Sequence, residues 1–143
     1  MQGDAVPGED TPVLNVVMGV MSLPDRRFLI AQRAAHKMYG GFWEFPGGKT
    51  RPGESPEQAL HREFLEELDI GITIDRRLDE YSYLQDETLI RFVPFCGRLQ
   101  GTDIRLLEHQ QVSFIHVAEL GHYSFAPPDY EIVNRLMEGT VLP

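Results

Sequence analysis

Cysteine occurs once in these 143 residues, so no intrachain disulfide can form. Cys96 lies inside the apolar run PFCGRL and reads as a buried structural thiol. No stretch of 18 or more apolar residues occurs, which leaves no candidate for a membrane-spanning helix. Basic residues are scarce: 13 Lys+Arg stand against 22 Asp+Glu, a formal net charge of −9. Such a surface disfavours duplex nucleic acid, whose backbone is bound through basic patches. A small phosphorylated substrate is still compatible with it, because bound cations invert the local field. The five histidines, at 36, 61, 109, 116 and 122, show no zinc-ligand spacing, and none is assigned to a metal. A Ser-His-Asp or Cys-His signature is also lacking. The opening residues, MQGDAVPGEDTP, are acidic and rich in Pro and Gly, and have the pattern of neither a signal nor a transit peptide. They read as a flexible tail, residues 1–12, before a single domain, 13–143. The expected compartment is the cytoplasm, and the expected state is a monomer or homodimer.

What is present is an ordinary globular composition, 42% hydrophobic and 24% charged, with clear punctuation. Leu14–Met21 and Phe28–Gln32 read as strands joined by a turn at Asp25-Arg26, and Phe42–Phe45 as a short aromatic strand ending at Pro46-Gly47-Gly48. The next helix is well marked. Ser55 can cap it, Pro56 suits its first position, and Gln58 completes a Ser-x-x-Gln capping box. Leu60, Phe64 and Leu68 then form a stripe, and the helix is expected over Pro56–Leu68. Further strands are expected near Ile72–Ile74, Arg77–Leu84, Leu89–Leu99 and Val112–Val117. A last helix is expected over Pro128–Met137, stopped by Gly139. The pattern predicts an α/β (α+β) fold, with helices covering a central mixed sheet.

The stretch from Gly48 to Ile70, GKTRPGESPEQALHREFLEELDI, carries the chemistry. On a helix, Glu63, Glu66 and Glu67 fall within about 100° of arc, bordering the apolar stripe. Like charges at this spacing weaken a helix by a few tenths of a kcal/mol. A divalent cation shared with a phosphate rewards such clustering, because Mg²⁺ takes oxygen ligands and is commonly divided between carboxylates and substrate phosphates. Gly47 and Gly48 allow close approach of backbone amides to phosphate, and Lys49 adds a point charge.

The stretch resembles the Nudix box, Gly-x5-Glu-x7-Arg-Glu-apolar-x-Glu-Glu-x-Gly-apolar. Gly48, Glu54, Arg62, Glu63, Phe64, Glu66, Glu67 and Ile70 match, while Asp69 stands where the family has glycine. Asp tolerates the left-handed conformation that such a helix end needs. The resemblance implies a Nudix-type α/β/α sandwich and metal-dependent hydrolysis of a nucleoside diphosphate derivative. Glu63, Glu66 and Glu67 would be metal ligands with Gly48 and a downstream glutamate, Glu108. Arg62 would orient the carboxylates, Glu54 would support them, and Mg²⁺ is the implied cofactor, with Mn²⁺ as a substitute.

The flank Trp43-Glu44-Phe45-Pro46-Gly47-Gly48-Lys49 is similar to the MutT branch, nucleoside triphosphate pyrophosphohydrolases that cleanse the nucleotide pool of oxidised dGTP. That similarity implies a nucleotide as the small-molecule partner. Arg33 would face its base, Phe45 would pack against it, and Asp129 would stand at a base-reading position. Tyr83 is among the aromatic side chains available for stacking. An ionised Asp accepts only, whereas a protonated one also donates, so oxidised dGTP and a cytidine-type triphosphate both stay open. The alternatives are a Nudix hydrolase of ADP-ribose, a dinucleoside polyphosphate or capped RNA, and a non-catalytic nucleotide-binding module.

Overall fold

A computed structural model describes residues 10–143; the expected tail lies largely outside the described residues. The chain runs β1 Val13–Ser22, β2 Phe28–Gln32, β3 Trp43–Glu44, β4 Gly47–Lys49, α1 Pro56–Leu68, β5 Ile72–Arg77, β6 Tyr81–Gln85, β7 Thr88–Leu99, β8 Gln111–Ile115 and α2 Tyr130–Glu138. Two 3-10 turns, Val117–His122 and Pro127–Asp129, lead into α2.

The strands form one mixed sheet in the order β3-β2-β1-β7-β5, with β4 paired to β1, β6 to β7 and β8 to β2. β1 and β7 pair in parallel from Val13↔Leu89 to Ser22↔Arg98, and the remaining pairs are antiparallel. Helices cover both faces, which is why β1 reads as a nearly continuous apolar run instead of an alternating one. Successive side chains still point to opposite faces. Val17 and Met21 pack with Leu60, Phe64 and Leu68 of α1. Met18 and Val20 pack with Phe28, Phe45, Phe125 and Ile132, Val133 and Leu136 of α2. Gly19 admits α1 at close range, since a Cβ there would lie 3.3 Å from both Leu60 and Phe64.

α1 has the expected limits. The Ser55 hydroxyl accepts from the Gln58 amide at 3.1 Å, and the Gln58 side chain accepts from the Ser55 amide at 2.9 Å. Asp69 ends the helix in the left-handed region, φ 52° and ψ 42°, with its amide donating to Leu65 O. The Asp thus takes the conformation for which glycine is usual, at a cost of about 1 kcal/mol.

Elsewhere the boundaries differ from the sequence pattern. The strand expected over Arg77–Leu84 is broken: β5 runs on to Arg77, and β6 restarts at Tyr81 along the same edge of β7. The break faces Pro94, whose carbonyl accepts from Leu78 at 2.9 Å but which has no N–H to return. Gly47–Lys49, expected to end a strand, forms β4 against Val16–Met18. β8 stops at Ile115, where the Val117–His122 turn begins, and Pro128 belongs to the 3-10 turn that precedes α2. Cys96 is buried, and burial pushes its thiol up from the ordinary 9.0.

Candidate active site

Two cavities meet at the C-terminal part of β3 and the glycines that follow it. One, of about 430 Å³, runs between β1, β7 and the 34–41 loop; its walls include Met18, Phe92, Arg33, Glu44 and Asp129. The other, of about 310 Å³, is walled by Glu63, Glu67, Glu44, Glu108, His109 and Lys37. Arg33, Glu44, Gly47, Gly48 and Lys49 line both.

α1 delivers the carboxylates. Arg62 is their hub: its Nε and Nη2 donate to Glu54 at 2.6 and 2.9 Å, its Nη1 to Glu63 at 2.7 Å and Glu66 at 3.4 Å, and Nη2 also to the Lys49 carbonyl at 2.9 Å. The last bond ties α1 to β4. The Arg62 guanidinium holds the Glu54 carboxyl down to about 2, with help from the Arg51 amide. The two carboxylates in turn push Arg62 above its ordinary value. Glu54 and Arg62 are thus charged throughout the physiological range and form a fixed frame.

Glu67 is the opposite case. It is 5% exposed, and burial, then a hydrogen bond with Glu63 and the charges of Glu44, Glu63 and Glu108, push its carboxyl up to about 11. Four carboxyl groups, those of Glu44, Glu63, Glu67 and Glu108, surround one small cavity, and their oxygen donors suit a hard divalent cation. The backbone fits as well. A Cβ on Gly48 would lie 2.6 Å from the Glu63 carboxyl carbon, so glycine leaves that carboxylate its place. Gly47 differs: a Cβ there would strike the Val17 carbonyl in β1. Gly48→Ala is therefore expected to lower kcat/KM about ten-fold by displacing Glu63 while the fold persists. Gly47→Ala is expected to abolish soluble folded protein, because backbone cannot yield. Steady-state kinetics and circular dichroism of the two purified variants separate the effects.

Not every expected residue reaches the cavities. Glu66 is 47% exposed and is held outward by Arg51 at 3.2 Å and by Arg62. Glu108 lines the acidic cavity from its rim, paired with Lys37 at 3.7 Å. Tyr83 lies half-buried on β6 and walls neither cavity, although its neighbour Tyr39 does. Phe45 turns its ring into the α2-side core, stacked on Phe125 at 5.3 Å, and is 2% exposed. Phe45 also lines the larger cavity, and its amide donates to Asp129 Oδ2 at 2.9 Å. Asp129 is itself 5% exposed. Burial and the Glu44 charge raise its carboxyl well above the ordinary 3.8, opposed by the Phe45 amide and Arg33. Arg33 donates to Glu44 Oε1 at 2.7 Å and to the Met38 carbonyl at 2.6 Å.

Two residues of this site were not picked out from the sequence, Glu44 and His109. Ligand atoms of Glu44, Glu67 and His109 lie within 4.8 Å of one another, although no histidine shows metal-ligand spacing in the sequence. Pairing of β2 with both β3 and β8 brings residues 44 and 109 together. The position of Glu44 inside Trp-Glu-Phe-Pro-Gly-Gly, next to the phosphate-approach glycines, was the one sequence signal for it.

A family model described as the NUDIX domain matches residues 13–136. The chain belongs to the Nudix family. Among Nudix relatives, it is 36% identical to the CTP pyrophosphohydrolase of Escherichia coli over 118 residues, covering 79% of this chain and 84% of that one. It is 43% identical to the 8-oxo-dGTP diphosphatase of Proteus vulgaris over 74 residues, 52% of this chain and 66% of the relative. The solution structure of the E. coli ORF135 protein superposes with a TM-score of 0.81 at 30% identity, covering 95% of this chain and 96% of that chain. The protein is thus a MutT-like Nudix hydrolase with a central mixed sheet. Nudix hydrolases act on small nucleotide substrates and generally depend on a divalent metal, for which an acidic group is present here. Among the described residues no helix is long and apolar enough to cross a membrane.

Proposed function

We propose that this Nudix hydrolase converts a nucleoside triphosphate to the monophosphate and pyrophosphate, with Mg²⁺ or Mn²⁺ held by Glu63 and Glu67 and by the backbone at Gly48. The observation that carries the reading is the shared wall: an apolar cavity ending in the buried Asp129 carboxyl adjoins an acidic cavity beside glycines and lysines. The larger one suits a base and sugar, the smaller one a charged phosphate chain. When bound, the metal neutralises phosphoryl oxygens and lowers the pKa of a water.

The residues supply the rest. Lys49 and Lys37 face the phosphate chain, and the glycine backbone lets it come close. Arg62 and Glu54 hold Glu63 in place, and Glu108 lends negative potential from the rim. Water attacks one phosphorus of the chain, a new P–O bond forms, and the bridging P–O bond breaks. The proton of the water passes to a carboxylate of the cluster, and pyrophosphate leaves. Arg33 and Asp129 flank the base. An oxidised purine and a cytosine-type base both suit an Asp at this position, because its carboxyl accepts when ionised and donates when protonated.

A steady-state comparison of 8-oxo-dGTP, dGTP, CTP and 5-methyl-dCTP with Mg²⁺, with products resolved by chromatography, tests the proposal. Monophosphate and pyrophosphate in equal amounts, lost on chelation, are expected. Release of orthophosphate, or turnover of ADP-ribose with none of the triphosphates, would overturn it.

A further inference from the structure

Glu44 stands between the two cavities with both of its carboxylate oxygens engaged. Oε1 accepts from Arg33 at 2.7 Å, and Oε2 lies 2.8 Å from His109 Nε2. The same His109 nitrogen lies 3.6 Å from Glu67 Oε1. A continuous line of contacts, Arg33–Glu44–His109–Glu67, therefore runs from the wall of the base cavity to the most buried carboxylate of the acidic one.

The role of the ring follows from its other nitrogen. The His109 side chain is 4% exposed, and Nδ1 is buried with no hydrogen-bond partner among the described residues. A histidine that ligates a metal through Nε2 carries its proton on Nδ1 and donates it to an acceptor. No such acceptor stands here, and a buried N–H without one costs about 1–3 kcal/mol. The tautomer that fits has its proton on Nε2, donated to Glu44, with Glu67 Oε1 in contact beside it. His109 is thus a donor to carboxylates and not a ligand beside them.

The segment that carries it is stitched on both sides. The Leu107 amide donates to the Glu67 carbonyl at 3.1 Å, and the Gln110 amide donates to the Gln32 carbonyl at 3.0 Å. Gln111 pairs with Gln32 in register. The ring therefore keeps a fixed relation to the end of α1 and to β2, which leads directly to Arg33. A side chain so placed constrains the directions in which the Glu44 and Glu67 oxygens can point.

We infer that Glu44 and His109 are positioning residues that orient Glu67 for the metal and, through Arg33, couple that orientation to the base bound in the larger cavity. The coupling half rests on the reading that the base occupies that cavity. When a base engages Arg33, the share of the guanidinium left to Glu44 changes. His109 passes the change to Glu67 because the nitrogen bonded to Glu44 also lies against Glu67 Oε1, at 3.6 Å.

His109→Leu removes the N–H at similar volume, His109→Gln offers an N–H near the same place, and Glu44→Gln weakens the couple from the other side. Two measurements are made on each purified full-length variant: Mn²⁺ affinity of the nucleotide-free protein by calorimetry, and kcat and KM for the best and a poor nucleotide of the panel. In His109→Leu, Mn²⁺ affinity and kcat are each expected to fall about ten-fold, with KM little changed. The ratio of kcat/KM between the two nucleotides is expected to shrink as well. His109→Gln should recover most of all three, and Glu44→Gln should follow His109→Leu. Equal losses in the Leu and Gln variants would mean packing alone and overturn the inference, as would unchanged Mn²⁺ affinity in both His109→Leu and Glu44→Gln. Should His109→Leu fail to fold, Glu44→Gln carries the same test. Should the wild type hydrolyse no nucleotide, the functional reading falls by itself, and the Mn²⁺ titration still decides whether the pair positions Glu67.

Discussion

Glu67→Gln is expected to lower kcat by about 10³-fold while leaving the metal-free protein at least as stable as the wild type. The two effects have one cause. Glu67 is buried against Glu63, Glu44 and Glu108, so ionising it in the absence of a cation costs both desolvation and repulsion. Glutamine keeps the volume and the hydrogen-bonding oxygen but removes the charge that a metal needs. Removal of one charged group from a metal and phosphoryl site is commonly worth about 3–4 kcal/mol of barrier. The same group strains the empty fold, which is the usual trade between activity and stability at such sites. Initial rates with saturating Mg²⁺, and thermal unfolding in the presence of chelator, check the pair of effects. A variant with wild-type turnover would remove Glu67 from the chemistry. A variant that unfolds at a clearly lower temperature without metal would show that Glu67 serves the fold instead.

The second large effect concerns the base. In Asp129→Asn, the preference between a nucleotide read through an N–H and one read through an acceptor is expected to shift by about 100-fold, the upper end of the cost of leaving one buried polar group unsatisfied. Asp129 Oδ2 already accepts the Phe45 amide, so the other oxygen is left for the ligand. Ionised, it accepts; protonated, it donates. Asparagine keeps the bond to Phe45 and presents only N–H. The preference ratio of the wild type should therefore drift with pH, and that of the variant should hold constant, since pH effects on the metal site are common to both substrates and cancel. Stability gives an independent check of sign. The native carboxyl holds its proton above the ordinary 3.8, so the native state binds more protons than the unfolded one, and stability declines as pH rises beyond about 4. Asparagine does not titrate. The unfolding temperature of Asp129→Asn relative to wild type should therefore increase from pH 4 to pH 8 and show no such trend below pH 4. A pH-independent difference would refute the assignment.

How far the sequence could be read depended on the range of the interactions. The helix Pro56–Leu68 was legible to the residue, because capping box, proline, stripe and stop all lie within one segment. Its carboxylates were legible as a cluster for the same reason: residues three and four apart share a helix face. The resemblance implied Arg62 as their organiser, and in the structure it reaches Glu63 and Glu66 along that helix. The strand edge β5–β6 was misjudged because its break answers Pro94 across the sheet. Phe45 was expected to pack against the base through the resemblance; it lines the larger cavity, and only the structure showed that its ring also packs with Phe125 and Phe28.

The sequence by itself determined the helix that presents Glu63, Glu66 and Glu67, because periodicity and spacing encode what lies within a turn or two of helix, while the family and its hydrolytic chemistry came from the resemblance of that stretch to the Nudix box. Only the tertiary structure decided which carboxylates face the cavities, that Glu66 is held outside by Arg51, and that Glu44 and His109 join the site. The last of these depends on β2 pairing with β3 and with β8, which brings residues 33, 44 and 109 beside residue 67. Contacts between segments so distant along the chain leave no period in the sequence.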